Sequence, residues 1–217
     1  MELFAHPFSS YCQKVLIALY ENALPFTFRM LDAEHPADRA EFARHWPIGK
    51  FPLLVDEGRP VMESSIIIEH LQLRHPGPVR LIPEDPAAAL EVRMLDRIFD
   101  NHVMGNAMRF VADALRPPER RDPVDVEQAR TALETAYRWI DAWMEGREWA
   151  AAGVFSLADC AAAPSLFYAD WVHPIPDELG NLKAYRARLL ARPSFARAVD
   201  EARPYRAFFP LGAPDRD

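Results

Sequence analysis

Lysine is almost missing from this chain: it occurs only at Lys14, Lys50 and Lys183, and the other basic residues are arginines. No long basic run offsets the formal net charge of −7. That balance argues against nucleic acid or an anionic membrane as the main partner. Cysteine is equally sparse, with only Cys12 and Cys160, so no disulfide framework is expected. Neither a signal peptide nor a long apolar segment appears, which predicts a soluble, cytoplasmic protein. No Cys/His cluster has zinc spacing and no glycine-rich phosphate loop is present, so no metal, nucleotide or flavin is expected. The histidines are scattered and read as surface or structural residues. There is no internal repeat or low-complexity segment. What the chain does have is apolar content: 50% of its 217 residues are hydrophobic, enough for one large or two small cores.

The first third reads as alternating strands and helices. Glu2 to His6 is a short strand ended by Pro7, and Phe8 to Cys12 leads into a helix whose buried stripe is Val15, Leu16, Leu19 and Tyr20. Asn22 and Pro25 stop it. A second strand runs from Phe26 to Leu31, and a helix from Pro36 to His45 has proline in its first turn. The order β-α-β-α-β-β-α within about 75 residues is that of a thioredoxin-like domain.

The most informative stretch is Trp46 to Leu71. Pro52 stands immediately before the buried-looking strand Leu53-Leu54-Val55, at a first position where the missing N–H is tolerated. A proline there can be cis, which would turn the Phe51 amide and carbonyl away from the next strand. Asp56 to Pro60 is a turn, with Gly58 able to take a positive φ. Val61-Met62 resumes the strand, and Glu63-Ser64 opens a helix with serine as its expected cap. A helix N-terminus favours anions. Two special backbone places, Phe51-Pro52 and Glu63-Ser64, are thus tied together by a hairpin, and a small charged ligand is expected between them.

Arg74 to Pro86 is proline-rich, a composition typical of domain boundaries. Beyond it only helices are expected: one long helix from Ala87 to about Leu115, one from Val124 to about Glu145, a central helix from Phe155 to Trp171 that is apolar nearly all round, and two more at 179–190 and 194–202. Ser156 and Asp159 have capping-box spacing. The division expected is a thioredoxin-like α/β domain over 1–78 and an all-α helical domain over 84–217.

Taken in order, four motifs resemble those of the glutathione transferase family over essentially the whole chain. Ser9 to Val15 resembles its catalytic turn, and Trp46-Pro47-Ile48-Gly49-Lys50-Phe51-Pro52 its N-P-x-G-K-V-P segment with the cis-proline. Glu63-Ser64-Ser65-Ile66 resembles its E-S-x-A-I motif, and Ser156 to Asp159 the capping box of its helical domain. Trp46, Phe51 and Ile66 depart from the family's Asn, Val and Ala, which bears on subfamily more than on fold. The resemblance implies glutathione as co-substrate, no metal, and a homodimer. It assigns Ser9 to the thiolate, ahead of Ser10, with Tyr11 third. It places Glu63 on the γ-glutamyl ammonium and Ser64 on its carboxylate. It also pairs the Phe51 backbone before Pro52 with the cysteinyl unit and sets Lys50 facing the glycyl carboxylate.

The chemistry of these residues is consistent with that assignment. A hydroxyl at a helix N-terminus can donate to a thiolate, and lowering a thiol pKa by one unit takes about 1.4 kcal/mol, within reach of one charge-assisted hydrogen bond. Cys12 falls inside the helix and reads as a buried, inert thiol, which disfavours a thiol reductase. The small apolar electrophile is expected between the domains, against Tyr11, Met104, Met108, Trp171 and Phe208, with Phe110 and Phe209 also candidates. A glutathione-dependent isomerase or dehalogenase, a thiol reductase on the same fold, and a non-catalytic binding protein of that fold are the alternatives.

Overall fold

The computed structural model describes residues 1–217. Its first part is a four-stranded sheet in the order β2-β1-β3-β4, built from β1 (Glu2–Ala5), β2 (Thr27–Met30), β3 (Leu53–Asp56) and β4 (Arg59–Met62). β1 and β2 are parallel and joined through α1 (Ser10–Glu21), while β1–β3 and β3–β4 are antiparallel. Pro60 lies on the edge strand β4, where its missing donor breaks no inner ladder.

Strand alternation divides the sheet residues between two cores. Leu3, Ala5 and Leu54 join the main core with α1 and α3 (Ser64–Arg74). Phe4, Leu53 and Val55 face the other way and meet Phe42 of α2 (Pro36–His45), with Trp46 and Met62 packed at the margin. Both faces are therefore covered. α2 packs through its one buried residue, Phe42, and is tied to β2 by Arg29, which pairs with Asp38 at 2.8 Å and Glu41 at 2.5 Å.

The second part is helical: α4 (Pro86–Ile98), α5 (Gly105–Ala114), α6 (Pro123–Trp143), α7 (Leu157–Val172), α8 (Gly180–Leu190) and α9 (Pro193–Ala202). The expected single helix from 87 to 115 is interrupted. Residues Phe99–Met104 form a π-helical turn between α4 and α5. Such turns often accompany functional sites, and this one carries both Asp100 and Met104. α7 is buried from Leu157 to Trp171 and packs against α1, as its all-round apolar sequence predicts. At its start, the Asp159 carboxylate accepts the Ser156 backbone N–H at 2.9 Å, the Ala150 N–H at 3.0 Å and the Tyr185 hydroxyl at 2.6 Å. One main core runs through both parts without a break.

The proline-rich connection is pinned rather than loose. The Asn22 amide accepts from the Val79 N–H at 2.8 Å and donates to the Val79 carbonyl at 3.1 Å. Gln72 does the same for Ile82, with both bonds 2.8 Å. These side chains satisfy backbone groups that the prolines keep out of regular structure. Gly77 permits the arrangement, because a Cβ there would lie 2.3 Å from Asn22 Oδ1 and 2.6 Å from its Cβ. Asn22 is held at both ends and cannot step aside. Gly77→Ala is therefore expected to lower stability by about 1–3 kcal/mol, read by urea unfolding. A neutral result would show that the connection yields.

Candidate functional site

A cleft of about 460 Å³ lies between the sheet and the helices. One wall is the turn from β1 into α1 together with the loop before β3, bringing His6, Ser9, Ser10, Tyr11, Lys50 and Phe51. The facing wall is apolar, with Met104 and Met108 from the π turn and α5, and Phe208 and Phe209 from the C-terminal segment.

Ser9 is the N-cap of α1, its Oγ accepting the Cys12 N–H at a long 3.4 Å. A hydroxyl accepts and donates at once, so capping leaves the Ser9 proton free for a ligand. Helix capping and donation to a ligand can thus be carried by the same hydroxyl. Ser10 follows as the first helical residue and is buried. The Tyr11 hydroxyl donates to the Asp100 carbonyl at 3.4 Å. Burial, then the nearby Asp100 charge, pushes its pKa up to about 12, so it stays protonated.

Cys12 is wholly buried, and burial raises its thiol to about 12 against the Ser9 contact that lowers it. Thiolate is the reactive form. Native protein is therefore expected to leave Cys12 unmodified by iodoacetamide between about pH 7 and 9, with labelling only after denaturation. Rapid native labelling at Cys12 would reopen the thiol-exchange reading.

The loop before β3 places the next group of residues. The Gly49 N–H closes a turn onto the Trp46 carbonyl at 3.0 Å, and Gly49 takes φ +74°, a conformation that favours glycine. Lys50 follows on the rim, exposed and without an acidic partner, unlike Lys14 and Lys183. The Phe51–Pro52 bond is cis. Pro52 is buried while Phe51 is 39% exposed, and the Phe51 amide and carbonyl have no intramolecular partner.

Leu53 pairs with Met62, so Pro52 stands beside Glu63 one step further along the hairpin. Glu63, rather than the expected Ser64, is the N-cap of α3. It sits at φ +68° and no side chain caps the helix. A non-glycine residue there is strained, which is characteristic of functional sites. Ser64 is the first helical residue and is buried. Glu63 and Ser64 do not line the cleft itself, but the Glu63 charge reaches Tyr11, which does.

Among the apolar candidates, Met104, Met108, Phe208 and Phe209 line the cleft together with Tyr11. Trp171 does not. It is buried behind the wall, its ring 6.3 Å from Phe8 and 5.2 Å from Phe209. Phe110 turns away toward α6, under the Arg130 guanidinium at 5.6 Å.

Two residues escaped the sequence reading. His6 lies in the cleft at the end of β1, and its Nδ1 accepts the Phe8 N–H at 3.2 Å. Burial lowers its pKa, favouring the neutral ring, against the opposing pull of the Asp32 carboxylate. Its position just before Pro7, at the carboxyl end of a parallel strand, was the available signal. The other is Lys14, 1% exposed on α1. Its ammonium contacts Asp96, meets Asp100 Oδ2 at 2.7 Å and donates to Ser65 Oγ at 2.9 Å. Ser65 in turn donates to Asp96 Oδ2 at 2.8 Å, and Arg97 reaches Asp100 at 2.7 Å. This cluster braces the start of α3 against α4 and the π turn.

Comparison with known proteins agrees with this geometry. Residues 3–79 match the model of the glutathione S-transferase N-terminal domain, and 103–193 that of its C-terminal domain. FtsZ-localized protein A of Caulobacter vibrioides is 30% identical over 87% of this chain and 86% of its own. Glutathione S-transferase GstB of Escherichia coli is 27% identical over 88% and 93%. A crystal structure of a glutathione S-transferase from Methylobacillus flagellatus with GSH bound superimposes with a TM-score of 0.81 at 29% identity, covering 91% of this chain and 98% of that one. With a thioredoxin-like sheet domain, an all-helical second part and both family domains matched in order, the chain belongs to the glutathione S-transferase family.

Proposed function

We propose that this chain is a glutathione transferase that binds glutathione along the Ser9, Lys50 and Phe51 wall and adds its thiolate to a small apolar electrophile. The observation that carries the reading is Ser9, a cap whose proton remains free, opening onto a cleft with one polar and one apolar wall. Ser9 donates to the thiolate, and the positive end of the α1 dipole assists. The unpaired amide and carbonyl of Phe51 meet the cysteinyl backbone, held in place by Pro52. Glu63 and Ser64 at the uncapped start of α3 take the γ-glutamyl ammonium and carboxylate, and Lys50 takes the glycyl carboxylate. The sulfur then forms a bond to the electrophilic carbon as the leaving group departs with its electron pair, facing Met104, Met108 and Phe208.

The reading includes a cytoplasmic homodimer. Ile66 and Leu73 of α3 and Leu90 and Met94 of α4 are exposed apolar residues beside the Glu69–Arg93 ion pair, a face suited to a second copy. Glutathione-dependent isomerisation or dehalogenation would use the same thiolate.

A second reading, a binding protein that turns nothing over, gains weight from the relative named for its localisation with FtsZ rather than for a reaction. The test is conjugation of glutathione to a chlorinated nitrobenzene. Saturable catalysis above the uncatalysed rate supports the transferase. Glutathione binding without turnover of this or other halogenated and isomerisable substrates would favour the binding protein.

A further inference from the structure

Away from the cleft, three side chains from separate elements converge on one point. Asp56 ends β3 and is 5% exposed. His70 lies in the last turns of α3, and His75 is that helix's C-cap. The Nε2 atoms of His70 and His75 each lie 2.8 Å from the same oxygen, Asp56 Oδ2. All three donor atoms fall within 4.8 Å of one another, and the rings are 6.3 Å apart at 59°. Here two imidazoles aim the same ring nitrogen at a single carboxylate oxygen.

We propose that Asp56, His70 and His75 form a binding site for a divalent transition-metal ion, with zinc the ion that the donor set fits. Two imidazole nitrogens and one carboxylate oxygen suit zinc and its neighbours, whereas calcium and magnesium require oxygen shells. Ligands at about 2.0–2.1 Å in a tetrahedral set lie about 3.3 Å apart. The carboxylate-to-imidazole separations must open by about half an ångström from their present 2.8 Å for the ion to enter. The histidine side chains can supply this movement, being 23% and 30% exposed, and that exposure leaves a fourth position to water. His75 stands at the carbonyl end of α3, whose negative dipole favours a cation. The adjacent exposed pair Arg74–Glu57 adds no net charge. A bound ion would clip the end of α3 to the end of β3, independently of what the cleft binds.

The experiment uses tag-free, metal-stripped full-length protein. Titration with Zn²⁺ by calorimetry, and with Co²⁺ by visible absorption, is expected to give one equivalent and a rise in Tm. Loss of an outer-shell partner alone weakens metal sites about 10–100-fold. His70→Gln and His75→Gln, each removing a ligand, should weaken binding at least as much, and the double variant should abolish it. Without any substitution, Zn²⁺ should protect both histidines from diethylpyrocarbonate, as read by mass spectrometry. Absence of one-equivalent binding would overturn the site. So would equal affinity in the double variant, or binding that leaves His70 and His75 unprotected, and the cluster would then be a hydrogen-bonded trio only.

Discussion

Ser9→Ala is expected to slow glutathione conjugation at pH 7 by about 10–100-fold and to raise the pKa of the bound thiol by about one to two units. A hydrogen bond to a charged group is worth about 1.5–3 kcal/mol, and among its neighbours in the turn only the Ser10 hydroxyl is placed to substitute for it. Tyr11 is committed to the Asp100 carbonyl, and Cys12 is buried. The substitution also removes the α1 cap, at a cost of about 1 kcal/mol, so a fall in activity alone would be ambiguous. Ser9→Gly separates the two effects, because glycine is a tolerable cap but brings no hydroxyl. It should recover most of the lost stability and none of the lost rate. If Ser9→Gly conjugates as fast as wild type with an unchanged thiol pKa, the sulfur lies elsewhere, with Ser10 the next residue to test.

Lys14→Met is expected to cost about 3–5 kcal/mol of stability at pH 7, the usual penalty for stripping one partner from a buried ion pair. The methionine matches the lysine stem in length but leaves Asp96 and Asp100 with only the half-exposed Arg97 as a counter-charge. Burial already holds the Asp100 carboxyl above its ordinary range while Lys14 pulls it back. Removing Lys14 raises it further, so the folded variant binds protons that the unfolded chain does not. Stability of the variant therefore increases as pH falls toward the ordinary carboxylate range, and the difference from wild type should be smaller at acid than at neutral pH. Guanidinium unfolding at the two pH values checks both the size and the sign. Because Ser65 is bonded into the cluster beside Ser64, glutathione affinity should fall as well. A cost below about 1 kcal/mol that does not vary with pH would mean that the cluster is not a working charge network.

Local signals in the sequence were enough for much of the fold. The hairpin from Leu53 to Met62 was readable because Pro52, Gly58 and two short apolar runs each constrain the backbone nearby. α7 was readable because it is apolar on every side. The interruption at Phe99–Met104 was not, since no proline marks it and the apolar pattern continues across it. Ser9, Lys50 and Phe51 were legible as a group because special backbone positions surround them. Trp171 was misplaced toward the cleft because periodicity identifies a buried face without saying what covers it; Phe8 and Phe209 do. Lys14 and the Asp56–His70–His75 cluster depend on partners far apart in the chain, which spacing cannot reveal. A lone lysine among apolar residues looks like an intruder until Asp96 and Asp100 arrive from α4 and the π turn to neutralise it.

The most direct test is to titrate the protein with glutathione at pH 7 and follow the ultraviolet absorbance of the thiolate. Saturable binding at or below millimolar glutathione is expected, with a thiolate band that appears on binding and is strongly reduced in Ser9→Gly. No binding at millimolar glutathione, or binding in which the thiol stays protonated, would contradict the assignment of Ser9 and its cleft to glutathione activation.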